Sequence, residues 1–414
     1  MLEALFSRLD AQRAAVIRWQ RAMTARPALS PENGGDGEEE KAAWIEAEIT
    51  DLGFCSIRRH NSPDSRVSCG FRPNLSARIP GYSPQTLWVV AHMDVVPPGA
   101  MSLWAGPPWE LRVEGDLVYG RGVEDNQQAM ASVFLAADAL VQCGITPDIS
   151  LGLLCICDEE SGMAHGLPHV LETAPDLFRP DDMFLVPDMG SWHGDMIEVA
   201  EKSCLWFSIT VHAGTHCTHA PGRQAPAEPG APQHAATSAL VLALERLYRV
   251  FRKKDALFVP SWSTFVPAKK EAPGFLPKPG QDSFCLDCRV LPEYDLDEVE
   301  REIRSIVADI TLRYAVRIDI DRVHRECAPP PTPVTAPVVR RLVRALETHR
   351  ALQPRVCGLG GQTIASCLRR KHMETAVWAT LLPNPHAANE CSRISATVDD
   401  AKIILAMLFT GQED

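Results

Sequence analysis

The sequence predicts an α/β protein: a larger domain with a mostly parallel, helix-covered sheet, plus an inserted, smaller ferredoxin-like α+β domain. Three observations carry this. At 414 residues the chain exceeds what one ordinary core holds. Over much of its length, short apolar runs alternate with stretches of helical periodicity, as a covered parallel sheet requires. Between residues 203 and 325 the order changes to β-α-β-β-α-β, the ferredoxin-like unit. The expected division is therefore 1–202 with 326–414 as one discontinuous domain and 203–325 as the insertion.

Residues 2 to 25 place Leu2, Leu5, Leu9, Val16, Trp19 and Met23 at helical spacing, interrupted by Gln12. A Pro/Gly-rich loop follows, then a helix from about Glu40 to Leu52 with Gly53 as its C-terminal stop. A strand begins at Phe54 and another lies near Asn74–Ile79. The run Leu87–Ala91 ends in His92, Met93 and Asp94. After a Pro/Trp-rich loop, the glycines of Tyr119-Gly120-Arg121-Gly122 allow a tight turn. Asp125 or Asn126 then caps a helix whose apolar face is Met130, Val133, Phe134, Ala137, Leu140 and Val141. Further apolar runs, Ile149–Cys157, Met183–Pro187 and Ala376–Thr380, lead to Asp158-Glu159-Glu160, to Asp188 and to His386.

In the insertion, Cys204–His212 alternates like a strand. A Pro/Gly-rich connection leads to a helix over Gln233–Phe251. Phe258–Lys269 and Asp282–Leu291 read as strands, Leu296–Arg313 as a helix and Val316–Ile320 as a short strand. Pro329-Pro330-Pro331 forms the return linker.

Apolar content of 45% and charged content of 23% are those of a soluble globular chain. A net charge of −12 excludes a general nucleic-acid or anionic-membrane binder. No apolar run is long enough for a bilayer, and the first residues lack the pattern of a secretory signal; a cytoplasmic protein is expected. The 13 cysteines are scattered, many within apolar runs, so free buried thiols are expected rather than a disulfide framework. Cys285 and Cys288 have redox or zinc spacing but interrupt a strand-like run and lack a second such pair.

The chemistry is concentrated in His92, Asp94, Asp125, Glu159, Glu160, Asp188 and His386, nearly all at the ends of apolar runs. Each has an ordinary alternative: Asp125 as a helix cap, His386 as a surface histidine. Together they matter more. Ligands bind beyond the carboxyl ends of strands in open α/β sheets. Carboxylates converging there repel strongly, and a pair of divalent cations would offset that repulsion. Two histidines with three or more carboxylates suit zinc, with manganese or cobalt as substitutes.

The segments AHMDVVPPG, LVYGRGVEDNQQ, CDEESG, VPDMG and PNPHAANE, in this order, resemble the di-zinc metallopeptidase family. That family includes succinyl-diaminopimelate desuccinylase, aminoacylase, carboxypeptidase G and cytosolic dipeptidases. The likeness runs from about residue 70 to the C-terminus, and the insertion resembles the family's lid, used for dimerisation. The resemblance implies that His92 and Asp188 hold one metal ion, Glu160 and His386 the other, and that Asp125 bridges them. Asp94 would orient His92. Two metal ions would share a water as the nucleophile, with Glu159 as general base. A lid histidine would stabilise the oxyanion; His219, followed by Ala220 and Pro221, fits better than His216. Arg289 would grip a substrate carboxylate, with a surface salt bridge as the alternative. The glycine loop around Gly361 would lie near the substrate with N–H groups able to cradle an anion, with a plain flexible turn as the alternative. The Pro-rich Gly222–Pro232 departs from the family's compact loop and has no functional account.

An aspartate at position 188 accompanies aminopeptidase or dipeptidase activity in that family, which implies a small peptide substrate. The alternative is an N-acyl-amino-acid deacylase of the desuccinylase type. Two other classes fit less well. A silent metal-binding scaffold would be expected to have lost a ligand or the base, and a redox protein would need a poised thiol pair.

Overall fold

The structure, a computed structural model, describes residues 1–212, 232–262, 264–270 and 281–409. The chain divides into two compact units. One comprises Met1–Val199, Pro330–Val356 and Thr363–Asp414; the other comprises Ala200–Pro329 and Cys357–Gln362.

The two main sheets are built from twelve strands. The first six are β1 (Cys55–Arg59), β2 (Leu75–Ile79), β3 (Ser83–His92), β4 (Ile149–Ile156), β5 (Met183–Val186) and β6 (Met196–Glu201). Then follow β7 (Ser203–His212), β8 (Val266–Lys270), β9 (Gln281–Val290), β10 (Arg317–Glu326), β11 (Arg355–Leu359) and β12 (Thr375–Val377).

The larger sheet has the order β1-β2-β4-β3-β5-β12-β6-β11. Its centre is parallel: β3 pairs with β4 and β5, and β5 with β12. Antiparallel pairs flank this centre, β1 with β2, β2 with β4, and β12 with β6. All of β4 is buried, as is β3 from Thr86 to His92. Strands covered on both faces have no polar side to present, which is why they read as unbroken apolar runs. The α/β architecture is as expected.

The helical stretch expected over residues 2 to 25 is two helices, Leu2–Asp10 and Arg13–Thr24. The Ala11 and Gln12 N–H groups close the first helix on the carbonyls of Arg8 and Leu9, respectively. Arg8 Nε and Gln12 Nε2 then both donate to Asp138 Oδ2, at 2.9 and 3.3 Å, in the helix Gln127–Cys143. The apolar stripe survives the bend, with Leu5, Leu9, Val16, Trp19 and Met23 all buried. The helix after Asp125 buries Met130 through Ala137, Ala139 and Leu140, but Val141 is exposed. No side chain caps its start. Asp125 and Asn126 are turned to other partners, described below.

The second unit carries the sheet β8-β9-β7-β10, antiparallel throughout. Alternate residues of β7 (Leu205, Phe207, Ile209, Val211) pack into one core with Phe284 and Leu286 of β9. Val299, Ile303, Ile306 and Ile310 of the helix Leu296–Tyr314 complete it. Three elements differ from the expectation. The helix over 233–251 is Pro232–Leu244 and Arg246–Val250, separated at Glu245. The strand over 258–269 is only Val266–Lys270, because Pro260–Trp262 forms a 3-10 turn. The last strand runs six residues past Ile320, to Glu326. As an edge strand pairing only with β7, β10 is largely solvated, so it needs no apolar alternation to mark its full length. Cys285 and Cys288 lie in β9 as free thiols. Among the described residues, no helix is long and apolar enough to cross a membrane.

Gly152 in β4 gives a test of the packing behind β3. A Cβ there would fall 2.5 Å from the ring of buried Trp88 and 2.7 Å from Thr86 Cγ2. Trp88 is anchored, its Nε1 donating to Asp182 Oδ2 at 2.9 Å. Gly152→Ala is therefore expected to lose about 1–3 kcal/mol in urea unfolding.

Candidate metal centre

The four central parallel strands of the larger sheet, in the order β4-β3-β5-β12, all point their C-terminal ends the same way. One residue after β4 comes Asp158-Glu159-Glu160. His92 is the last residue of β3, and Asp188 follows β5 by two residues. The chain after β12 leads to His386. Asp125 precedes the helix Gln127–Cys143. Six of the residues singled out in the sequence thus converge on one edge of one sheet, as ligand sites in such sheets do.

Asp125 lies between the two histidines. Its Oδ1 is 2.8 Å from His92 Nε2, and its Oδ2 is 3.0 Å from His386 Nε2. His92 Nε2 also lies 3.4 Å from Asp188 Oδ1, and His386 Nε2 lies 3.0 Å from Glu160 Oε1. Among the described residues, ligand atoms within 4.8 Å of one another fall into three groups: His92, Asp125 and Asp188; Asp125, Glu160 and His386; and His92, Glu159 and Glu160. The nitrogen and oxygen donors suit a divalent transition metal ion, and Asp125 belongs to two of the groups.

The electrostatics explain why such a cluster calls for cations. Burial and the charges of Asp188, Glu160 and Asp94 push Glu159 well above the ordinary carboxylate range, against the pull of His92. Burial also raises Glu160, although His386 partly compensates. Hydrogen bonds to Asp125 and Glu160 lift His386 to about 10. Burial disfavours charge on His92, but its bonds to Asp125, Asp188 and Asp94 outweigh burial and hold it well above its usual range. Positive charge at both histidines is stabilised by the surrounding acids.

Asp94 is almost fully buried and has two sets of partners. His92 Nδ1 lies 3.0 Å from the Asp94 main-chain oxygen and 3.5 Å from its carboxylate. The carboxylate itself accepts the N–H groups of Glu159 and Glu160, at 3.1 and 2.9 Å. It therefore fixes the glutamate turn as well as the histidine.

Of four supporting residues, three carried no signal of their own in the sequence, and Asn126 only that of a possible helix cap. The Glu390 carboxylate accepts the backbone N–H groups of Gly122, Glu124 and Asp125 at 3.0–3.1 Å. Arg121 pairs with it at 2.6 Å and also donates to the His386 carbonyl at 3.2 Å. Asn126 Nδ2 donates to Asp188 Oδ1 at 3.0 Å and to the Pro187 carbonyl at 2.8 Å. Lys41 Nζ donates to the Met93 carbonyl at 2.8 Å. Burial lowers Lys41 to about 8, against the pull of Asp94, Glu38 and Glu390. Arg121, Asn126 and Glu390 lie inside the segments that carry the family resemblance; nothing in the sequence separated them from their neighbours.

Two of the other expected site residues are described and stand elsewhere in the chain. Arg289 and Gly361 belong to the second unit. Arg289 Nε donates to Asp287 Oδ1 at 2.8 Å, and Nη1 donates to the carbonyl of Gly360, next to Gly361, at 3.2 Å. His216 and His219 lie outside the described residues.

A sheet with histidines and carboxylates gathered at its strand ends fits one class, the metal-dependent hydrolases built on an α/β sheet. The chain belongs to peptidase family M20/M25/M40, whose model matches residues 88–410. It is 29% identical over 403 residues to an uncharacterized metallohydrolase of Methanocaldococcus jannaschii, covering 92% of this chain and 95% of that one. It is 34% identical over 148 residues to succinyl-diaminopimelate desuccinylase of Alkalilimnicola ehrlichii, covering 35% of this chain and 39% of that one. In fold it is similar to human carnosine dipeptidase 1, with a TM-score of 0.77 at 15% identity, covering 98% of each chain.

The Arg121–Glu390 pair is fully enclosed. Removing one partner of such a pair strands the other charge. Arg121→Met is expected to lose about 3–5 kcal/mol in urea unfolding of the metal-free protein.

Proposed function

We propose that this M20 metallohydrolase cleaves an amide or peptide bond of a small substrate, as an aminopeptidase or dipeptidase, with two divalent metal ions. Zn²⁺ is the expected metal, and Co²⁺ or Mn²⁺ would substitute. The observation that carries the reading is the placement of Asp125, with one oxygen facing His92 and the other facing His386. A carboxylate placed so would bridge two ions, one shared with His92 and Asp188, the other with Glu160 and His386.

Bound divalent ions would lower the pKa of a water towards about 7 and polarise the scissile carbonyl. The chain supplies the rest. Glu160 Oε1 is already engaged with His386, whereas among the described residues Glu159 is hydrogen-bonded only through its backbone N–H. This supports Glu160 as ligand and Glu159 as general base. Glu159 takes the proton of the attacking water and passes it to the departing amine nitrogen, whose bond to the carbonyl carbon breaks. Asp94 accepts the Nδ1 proton of His92, leaving Nε2 to face the cluster. By family resemblance, His219 or His216 would donate to the developing oxyanion. Arg289 and the loop at Gly361 would hold a substrate carboxylate. The segment 203–325 would act as lid and dimerisation domain of a cytoplasmic homodimer, on the catalytic domain 1–202 and 326–414. A second reading, N-acyl-amino-acid deacylation, is favoured by the likeness to a desuccinylase.

Metal analysis with a substrate panel tests these readings. A chelator is expected to abolish hydrolysis, and Zn²⁺, Co²⁺ or Mn²⁺ to restore it. Free dipeptides should be cleaved in preference to N-acetyl or N-succinyl amino acids; cleavage of the acylated substrates alone would establish the second reading. Glu159→Gln should retain bound metal and lose turnover, and undiminished turnover would overturn Glu159 as base. His92→Ala should lose a metal ion outright, while Asp94→Ala should weaken metal affinity by about 10–100-fold.

A further inference from the structure

The turn that carries Glu159 and Glu160 is gripped from a part of the chain that precedes the family-matched residues 88–410. Glu38 stands at the start of the helix Glu39–Asp51, and its side chain is fully enclosed, as is that of Arg72. Arg72 binds it with two bonds, Nε to Oε2 at 2.6 Å and Nη2 to Oε1. The second Glu38 contact is with the backbone: Asp158 N–H donates to Oε1 at 3.4 Å. Three successive amides, those of Asp158, Glu159 and Glu160, therefore each donate to a buried carboxylate. Glu38 takes the first, and Asp94 the second and third.

Asp158 sits at φ +59°, a left-handed conformation uncommon outside glycine, although aspartate adopts it more readily than most residues. Its carboxylate accepts the His165 N–H at 3.0 Å, and its carbonyl accepts that of Met163 at 2.6 Å. Arg72 Nη1 lies 3.5 Å from Asp158 Oδ1. An uncompensated Glu38 would repel both Asp94 and Asp158. Arg72 on one side, and Lys41 three residues further along, supply the positive charge that lets these acids share the space.

We propose that Glu38, held by Arg72, is a positioning residue that fixes the direction of the Glu159–Glu160 turn through the Asp158 amide. Its consequence for hydrolysis rests on the reading of Glu159 as base and Glu160 as ligand; its consequence for the turn does not.

The test uses the full chain. In the metal-free wild type, hydrogen exchange of the amides of residues 158–160 is expected to be as slow as that of β4; fast exchange there would overturn the proposal. Glu38→Gln keeps an acceptor but leaves Arg72 charged. The double variant Glu38→Met with Arg72→Met removes the acceptor without leaving a buried charge unpaired, a replacement that buried pairs often tolerate. In the double variant the three amides should exchange about tenfold or more faster while β4 stays protected. Zn²⁺ affinity, read by chelator competition, should fall by about 10–100-fold, the usual effect of removing a group behind a ligand. On a dipeptide substrate kcat should fall with little change in KM. A double variant that folds and keeps wild-type exchange and Zn²⁺ affinity would show Glu38 to be structural only. If the wild type binds no Zn²⁺ and cleaves no substrate, the proposed function fails, and the exchange rates still decide the role of Glu38.

Discussion

Like charges brought together at the ends of three adjacent strands and the start of one helix are the constraint on which the rest of the molecule depends. Two unit charges 4 Å apart interact by about 4 kcal/mol even at an effective dielectric of 20. Asp94, Asp125, Glu159, Glu160 and Asp188 gather around two histidines in a largely buried cluster. Without compensation such a group would force the strand ends apart. The compensation takes two forms. Toward the cluster it is cationic, supplied by the imidazoles and, in the proposed enzyme, by divalent ions. Behind the cluster it is a set of enclosed cations, Lys41, Arg72 and Arg121, each bound to a backbone carbonyl or a carboxylate.

The supporting groups work largely by seizing main-chain N–H groups rather than side chains. Glu390 takes three around Asp125, Asp94 takes two at the tandem glutamates, and Glu38 takes the one before them. Binding at the backbone fixes where each acidic side chain begins and, in the proposed enzyme, would leave its carboxylate free to meet an ion. Ionised acceptors bonded to N–H groups are among the stronger hydrogen bonds available to a protein. The arrangement thus trades a buried charge for orientation, and the enclosed cations keep that trade from destabilising the fold.

How much of this was legible follows from burial. The central strands are covered on both faces, so their residues form apolar runs, and a histidine or acid at the end of such a run stands out. His92, Glu159, Glu160 and Asp188 were visible for that reason. Edge strand β10 was seen only in part, because a solvated strand needs no apolar alternation. The supporting groups were hidden for the opposite reason. Glu38-Glu39-Glu40-Lys41 has the composition of a solvated helix start, yet Glu38 and Lys41 are each 1% exposed. Arg121 and Glu390 are 269 residues apart, and nothing local in either predicts the other. Periodicity reports which face of an element is covered; it does not report which distant charge answers a buried one.

The register of the central sheet has a consequence for how this chain tolerates insertions and deletions. His92 is paired with Ile156, two residues before Asp158 and four before Glu160, so the two strand ends are locked at a fixed relative height. Adding or removing one residue within either strand would shift its end by about 3.3 Å and turn its side chains to the opposite face. In the proposed enzyme metal–ligand distances would be held to about 0.2 Å, and no rotamer adjustment would recover the geometry. Length variation is therefore confined to the connections ahead of these strands. The stretch from Leu87 to His92 and that from Leu151 to Ile156 behave as a ruler that sets the height of His92 against the turn after Ile156.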